Sequence, residues 1–442
     1  MGTGTPGRGW LLRLVLSFTC AQSAVSMARP AVSYRALALG ADERAIGVLT
    51  AVYALLPLLV AVPLGRRTDH GRCAPLLVVG VALITGGCAL SGVAGSLPAM
   101  AAWSGVMGLG HLCFVIGAQS IVARRSAPDE RDRDFGHFTI GASLGQLVGP
   151  AAAGLVVSGQ DGAMAPTSAT ALLAAGALAA CSCLSLWRLE HRPAQAGAAG
   201  AGRLARDRTP AAARTSVRTI LRTRGVAAGI FTSLAVLSAT DILTAYLPVI
   251  GEGRGVAPAT VGLLLSLRAA ATVACRLVLA PMIRLLGRTA LLAGSCALAG
   301  LLCAGPAVPT PVWALAVTLG ALGFCLGVGQ PLSMTTVVRA APAAARSTAL
   351  ALRLTGNRLG QVAAPATAGL LAGPAGAAAP FAMLGVLLLA AAAVAARPGH
   401  QAAAPPPPDQ AGDASQGAAG RPSPPPPSAP GRPRHGGSRD TR

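Results

Sequence analysis

The sequence predicts an all-α polytopic membrane protein, with twelve transmembrane helices in two six-helix pseudo-symmetric halves. Three observations carry this expectation. Of 442 residues, 53% are hydrophobic and 12% charged, with a mean hydropathy of +0.59; a soluble domain holds about 25% charged residues, so most of this chain is built for lipid. Apolar runs recur along almost the whole length, broken by short loops. Finally, residues 141–155 (GASLGQLVGPAAAGL) return as residues 356–370 (GNRLGQVAAPATAGL), nine of fifteen positions being identical at a spacing of 215 residues.

A spanning helix takes about 20 mostly apolar residues. Twelve such segments are read in order: 11–30, 45–64, 74–94, 98–121, 135–158, 166–187, 226–250, 258–280, 288–306, 311–338, 347–372 and 378–396. The first ends near Ser26-Met27-Ala28, which also fits a signal-peptidase site, but an uncleaved first helix keeps the count at six plus six. All 36 basic residues are arginine. They concentrate in the loops at 65–73, 122–134, 188–224, 281–288 and 339–346, whereas those at 92–97, 159–165, 304–310 and 373–377 carry none. Arg35, Arg44 and Arg254 are exceptions, offset by Asp42, Glu43 and Glu252. The positive-inside rule therefore places the basic loops and both termini in the cytoplasm, in a multi-pass protein of the cytoplasmic (inner) membrane.

The domain organisation follows. Residues 1–187 form an N-terminal six-helix half and 225–396 a C-terminal one. The basic, Gly/Ala-rich segment 188–224 is a cytoplasmic linker. Residues 397–442, with four prolines in a row at 405–408 and again at 424–427, form a tail with too few apolar residues to fold. Six spans per half give both halves the same polarity, a parallel repeat about an axis along the membrane normal.

The net charge of +21 invites a nucleic-acid reading. The arginines follow loop topology instead, so no nucleic-acid partner is expected. Ten cysteines lie scattered through apolar segments without a CxxC pair, so neither disulfide nor metal is inferred. No Walker-type loop, HExxH, Cys–His pair or carboxylate dyad is present, which argues against an ATP-driven pump and against an enzyme, and no cofactor is expected. Gly-Ala-Ser-Leu-Gly at 141–145 matches the serine-hydrolase elbow, but that chemistry needs a strand-turn-helix, and the second copy puts Arg358 where Ser143 stands.

Two motifs carry mechanism. The loop after the second span reads Gly65-Arg66-Arg67-Thr68-Asp69-His70-Gly71-Arg72. Asp69 is placed to cap the positive N-terminus of the eleventh span and to pair with Arg346, closing a cytoplasmic gate with Gly65, Gly71 and Arg72 in the turn. The fifth span carries Gly141, Gly145, Gln146, Gly149, Pro150 and Gly154, answered in the eleventh by Gly360, Gln361, Pro365 and Gly369. Glycines four apart let a second backbone approach one helix face, and a proline permits a bend.

With two six-span halves, this loop and the Gly-Pro span, residues 11–396 resemble the major facilitator superfamily. The signature loop of that family is matched at Gly65, Asp69, Gly71 and Arg72, with one residue missing between the aspartate and the second glycine. The resemblance implies a monomeric secondary transporter whose halves rock around a central site, and its Gly-Pro motif implies export of the antiporter type.

Ionisable groups at membrane depth point to function. Asp241 is the single deep carboxylate and one candidate proton carrier, paired with Arg268 or Arg358; His111 is the rival. Asn357, Gln22 and Gln146 complete the deep polar set. Arg353 and Arg276 lie near enough to the helix ends to snorkel. The expected activity is proton-coupled efflux of a small organic solute. The alternatives are uptake of an organic anion held by Arg268 and Arg358 and, in another class, a non-transporting membrane sensor or scaffold.

Overall fold

The computed structural model describes residues 9–68, 73–127, 130–159, 163–186, 217–223, 225–342, 346–376 and 378–397. Twelve long helices account for most of them: α1 (Gly9–Ala38), α2 (Glu43–Thr68), α3 (Ala74–Val93), α4 (Leu97–Arg125), α5 (Arg131–Ser158) and α6 (Met164–Leu186) in the first half, then α7 (Val226–Gly253), α8 (Pro258–Leu286), α9 (Arg288–Leu302), α10 (Val312–Ala340), α11 (Arg346–Ala375) and α12 (Ala379–Ala396). Two short helices, Val217–Arg222 and Ala304–Ala307, precede α7 and follow α9. The first of these lies inside the segment read as linker. Of the remainder of that segment, only Thr223 falls among the described residues.

Eleven predicted spans lie on a single helix to within a residue at their ends, and the ninth, 288–306, runs past the end of α9 at Leu302 into the short helix Ala304–Ala307. The largest difference is at α1, which runs eight residues past the expected end at position 30. The helix continues because Ala28, Pro30, Ala31, Val32, Ser33, Tyr34 and Ala36 are buried among neighbouring helices, so protein rather than lipid or water surrounds that stretch.

The two halves pack alike. In the first, α1 lies against α5 and α6, α3 against α4 and α6, and α2 against α4. The second repeats the pattern: α7 lies against α11 and α12, α9 against α10 and α12, and α8 against α10. Small residues set these crossings. Gly141 sits against Val15 on α1, and Gly356, at the repeat spacing, sits against Ile230 on α7, the equivalent of Val15. Gly108 lies against the Tyr53 carbonyl between α4 and α2, and Gly323 against the Arg268 carbonyl between α10 and α8. Tyr53 and Arg268 are thus equivalent positions of the repeat.

The halves meet through α2 with α11, α5 with α8, and α1 with α7. A Cβ on Gly47 of α2 would fall 2.5 Å from the Pro365 carbonyl oxygen and 2.7 Å from the Gly369 Cα on α11. A Cβ on Gly262 of α8 would fall against the Pro150 carbonyl oxygen and 3.0 Å from the Gly154 Cα on α5. Gly47 and Gly262 are again 215 residues apart, as are Gly154 and Gly369. The repeated block thus marks one end of the bundle where the halves touch backbone to backbone. At this end Tyr246 OH also donates to the Glu43 carbonyl at 3.0 Å, and Ser33 Oγ to the Ala245 carbonyl at 2.9 Å.

Two of the arginines that ran against the loop pattern have structural employment. Arg35 donates Nη1 to the Ala165 carbonyl and Nη2 to the carbonyl of Ala94, the residue that follows α3, both at 3.0 Å. Arg254 donates Nη2 to the Pro306 carbonyl at 2.6 Å. The carbonyls of Ala94 and Pro306 lie at helix C-terminal ends, where they lack intrahelical donors and carry partial negative charge, so a guanidinium there ties adjoining loops together. Arg35→Ala removes both bonds and is expected to cost about 2 kcal/mol, read as a lower unfolding temperature of the purified protein.

Candidate functional site

The middle turns of six helices, three from each half, supply the polar groups at the centre of the bundle. On α1, Gln22, Ser26 and Arg29 follow the i, i+4, i+7 spacing and share one face. Gln22 Nε2 donates to Ser26 Oγ at 3.2 Å, and Gln22 Oε1 stands 3.0 Å from His111 Nε2 on α4. An amide oxygen only accepts, so His111 carries its proton on Nε2. Its Nδ1 then accepts the Tyr53 hydroxyl proton from α2 at 3.0 Å. The Arg29 guanidinium lies 5.4 Å from the centre of the Tyr53 ring, over its face.

Arg29 reaches across to the second half. Its Nη1 is 2.7 Å from Asp241 Oδ1 on α7. Gln361 on α11 donates Nε2 to Asp241 Oδ2 at 2.9 Å and accepts from Arg358 Nη1 at 3.0 Å. Ser26, Gln22, His111, Tyr53, Arg29, Asp241, Gln361 and Arg358 therefore form one chain of contacts joining the halves, with Asp241 its one carboxylate. Asp241 is buried and its partners are largely so, and at such a reduced dielectric each bond is stronger than it would be at a surface.

Asp241 thus pairs with Arg29 rather than with the Arg268 or Arg358 that the sequence suggested. Arg358 reaches Asp241 only through Gln361. Arg268, on α8, is buried and its Nε has no partner among the described residues; it lies within electrostatic reach of both Arg29 and Asp241. Asn357, next to Arg358, is buried with Oδ1 unpartnered. Arg353 does not snorkel: it is buried and donates to the Gln330 side chain on α10 at 2.8 Å, while Gln330 donates to the Ser233 carbonyl of α7 at 3.1 Å. Arg276 is exposed.

The repeat motif divides its work. Gly141, Gly145 and Gly149 seat α1 against α5, Gly360 seats α7 against α11, and Gly154 and Gly369 form the contacts between halves. Gln361 belongs to the polar chain, whereas its counterpart Gln146 is exposed. In the signature loop, Gly65 falls in the last turns of α2 and Arg346 begins α11. Asp69, Gly71 and Arg72 lie outside the described residues, as does the Arg346 side chain.

Sequence reasoning missed Arg29, Tyr53 and Gln330. For Arg29 a signal existed: positions 22, 26 and 29 already share a helical face, so extending the first span beyond Pro30 brings it into the membrane. Beside the Arg29–Tyr53 contact a pocket is lined by Ser33, Thr50 and Ser104 together with Leu49 and Met107.

The sequence profile described as Major Facilitator Superfamily matches residues 14–257 and 230–432. The chain belongs to the Major Facilitator Superfamily. As a superfamily member it is a multi-pass membrane transport protein with the twelve-helix fold. Among curated proteins, none matches. Among solved structures, the nucleoside transporter NupG is similar at a TM-score of 0.66 and 18% identity, covering 87% of this chain and 98% of that one. A D-xylose-proton symporter superposes at 0.70 with 14% identity, over 89% of this chain and 99% of that one. A bacterial homologue of the human lysosomal transporter Spinster, inward-facing and occupied, gives 0.69 and 14%, over 89% and 97%. At such identities the shared property is the superfamily fold.

Proposed function

We propose that the protein is a proton-coupled secondary transporter of a small organic solute, working by alternating access around the polar chain, with Asp241 as proton carrier. The observation that carries this reading is the Arg29–Asp241 pair, the one ion pair between the halves among the described residues. When the halves separate where α1 meets α7, that contact must part. A carboxylate left without its guanidinium inside a membrane is costly, and taking a proton relieves it. Protonation and the movement of the halves are thereby linked.

The rival proton carrier is less well supported. His111 sits between an acceptor at Nε2 and a donated hydroxyl at Nδ1. A proton on Nδ1 would oppose the Tyr53 hydroxyl proton and force that group to turn. The arginine-rich loops support a cytoplasmic placement of both termini, so the end closed by Gly47 and Gly262 would face outside. Asp69 and Arg346 remain the proposed cytoplasmic gate, on the strength of the signature loop.

For direction, the Gly149-Pro150 motif supports export. Uptake of an organic anion is supported by Arg268, a buried guanidinium whose Nε has no partner among the described residues. The test is transport by the purified protein in liposomes. An imposed proton gradient, acid outside, should drive net movement of a solute that also exchanges in counterflow. Counterflow of every solute in a broad panel being absent would favour the sensor or scaffold reading instead, and counterflow that ignores the gradient would remove the proton.

A further inference from the structure

Around Asp241 the charges do not balance. Arg29 faces it from α1, Arg268 from α8 and Arg358 from α11, all within electrostatic reach. Tyr53 faces it from α2, with His111 of α4 beyond, and both are neutral in the bonding just described. Of the other elements packed on α7, α12 holds no titratable residue, and α10 holds Cys325 and, in its last turn, Arg339. The short helix packs beside the start of α7 through Ile220 and carries Arg218 and Arg222, both exposed, and the first residue of α7 lies fifteen positions before Asp241. Three guanidiniums thus share one carboxylate. Nothing else among the described residues at the centre offers a negative charge.

Protonation of Asp241 makes the imbalance larger. It removes the counter-charge of Arg29 and leaves a second, partly buried guanidinium without a carboxylate, alongside Arg268. A buried ion deprived of its partner is strongly destabilising, so the protonated state calls for an anion from outside the chain. Arginine presents paired N–H donors that match the two oxygens of a carboxylate or phosphoryl group, and Arg268 Nε is an unused donor close by.

Resting on the proton-coupled reading above, we infer that the substrate carries an oxyanion, carboxylate or phosphoryl, which binds Arg29 and Arg268 in the place that protonated Asp241 gives up. Proton and anion then bind together rather than in competition. Each raises the affinity for the other by the same factor, as linkage requires. An inward proton gradient drives such a pair inward, so this arrangement selects uptake over export.

The test needs no knowledge of the natural substrate. Thermal unfolding of the full-length protein in detergent is followed with sulfate, whose charge is constant between pH 5 and 8, at fixed ionic strength. The wild type should be stabilised by sulfate in acid and hardly at pH 8, with apparent affinity changing by up to tenfold per pH unit, the limit for one proton taken up with one anion. Asp241→Asn should be stabilised at both pH values, and the double variant Arg29→Gln/Asp241→Asn at neither. Formate and methylphosphonate, both ionised at pH 5, tell carboxylate from phosphoryl preference. A wild-type response that ignores pH, or a double variant that responds like Asp241→Asn, overturns the inference. Should Asp241→Asn fail to fold, the wild-type pH series with Arg29→Gln decides alone. If proton-driven transport depends on Asp241 while the sulfate response does not, the inference falls and the coupling reading stands. If transport is driven by protons without Asp241, both fall.

Discussion

Asp241→Asn is expected to reduce proton-driven accumulation to background while leaving counterflow measurable. Asparagine keeps the shape of the side chain and an oxygen for Gln361 Nε2, which now donates to Asp241 Oδ2 at 2.9 Å. It loses the charge that holds Arg29 at 2.7 Å and the ability to carry a proton. Breaking one side of a buried pair costs about 3 kcal/mol, so the unfolding temperature should fall as well. The reverse change in the partner separates function from scaffolding. In Arg29→Gln/Asp241→Asn the buried pair becomes two neutral groups able to hydrogen-bond, and stability should return. Coupling should not. If the pair is only a fixed inter-helix bridge, the double variant will instead be driven by protons as the wild type is, and the proton-carrier role goes.

That experiment turns on a residue that the sequence alone placed at the end of a span. The fold was legible because lipid imposes length and composition on every helix, and because the repeat fixed the count. Among the described residues, eleven helices are long and apolar enough to cross a membrane by composition alone. The exception is α11, whose mean hydropathy is lowered by Arg346, Arg353, Asn357, Arg358 and Gln361. Its identity came from its likeness to the fifth span, where the same backbone contacts recur with fewer charges. The residue types of the site were also legible, since Asp241, His111, Gln22, Arg358 and Gln361 are polar groups at depth. Their partners were not. The Arg29–Asp241 contact joins positions 212 residues apart and depends on where two helices cross, which periodicity does not encode. The pairing of Gly47 with Gly369 was hidden in the same way, although the 215-residue spacing, applied beyond the fifteen-residue block, connects Gly47 to Gly262.

Those two glycines give the second large effect. Gly47→Ala and Gly262→Ala each place a methyl group where the facing backbone already stands, against the Pro365 and Pro150 carbonyl oxygens. Backbone on two long helices yields less readily than a side chain, so the contact between halves must open rather than adjust. Overpacking of this kind costs about 1–3 kcal/mol, charged only to the conformation in which this end is closed. A population held there by a comparable margin would shift by roughly tenfold for each 1.4 kcal/mol. The expected result is a slowed transport cycle and greater accessibility, from that end, of a cysteine introduced at Thr50 in the neighbouring pocket. Because the two crossings are equivalent in the repeat, the two variants should behave alike. Gly86 on α3 is the control: a Cβ there meets nothing within 4 Å, so Gly86→Ala should leave transport and accessibility unchanged and stability within about 1 kcal/mol of the wild type. Equal behaviour of all three variants would mean that the crossings between halves are ordinary helix packing, and that the closed end is held by something other than the glycines of the repeat.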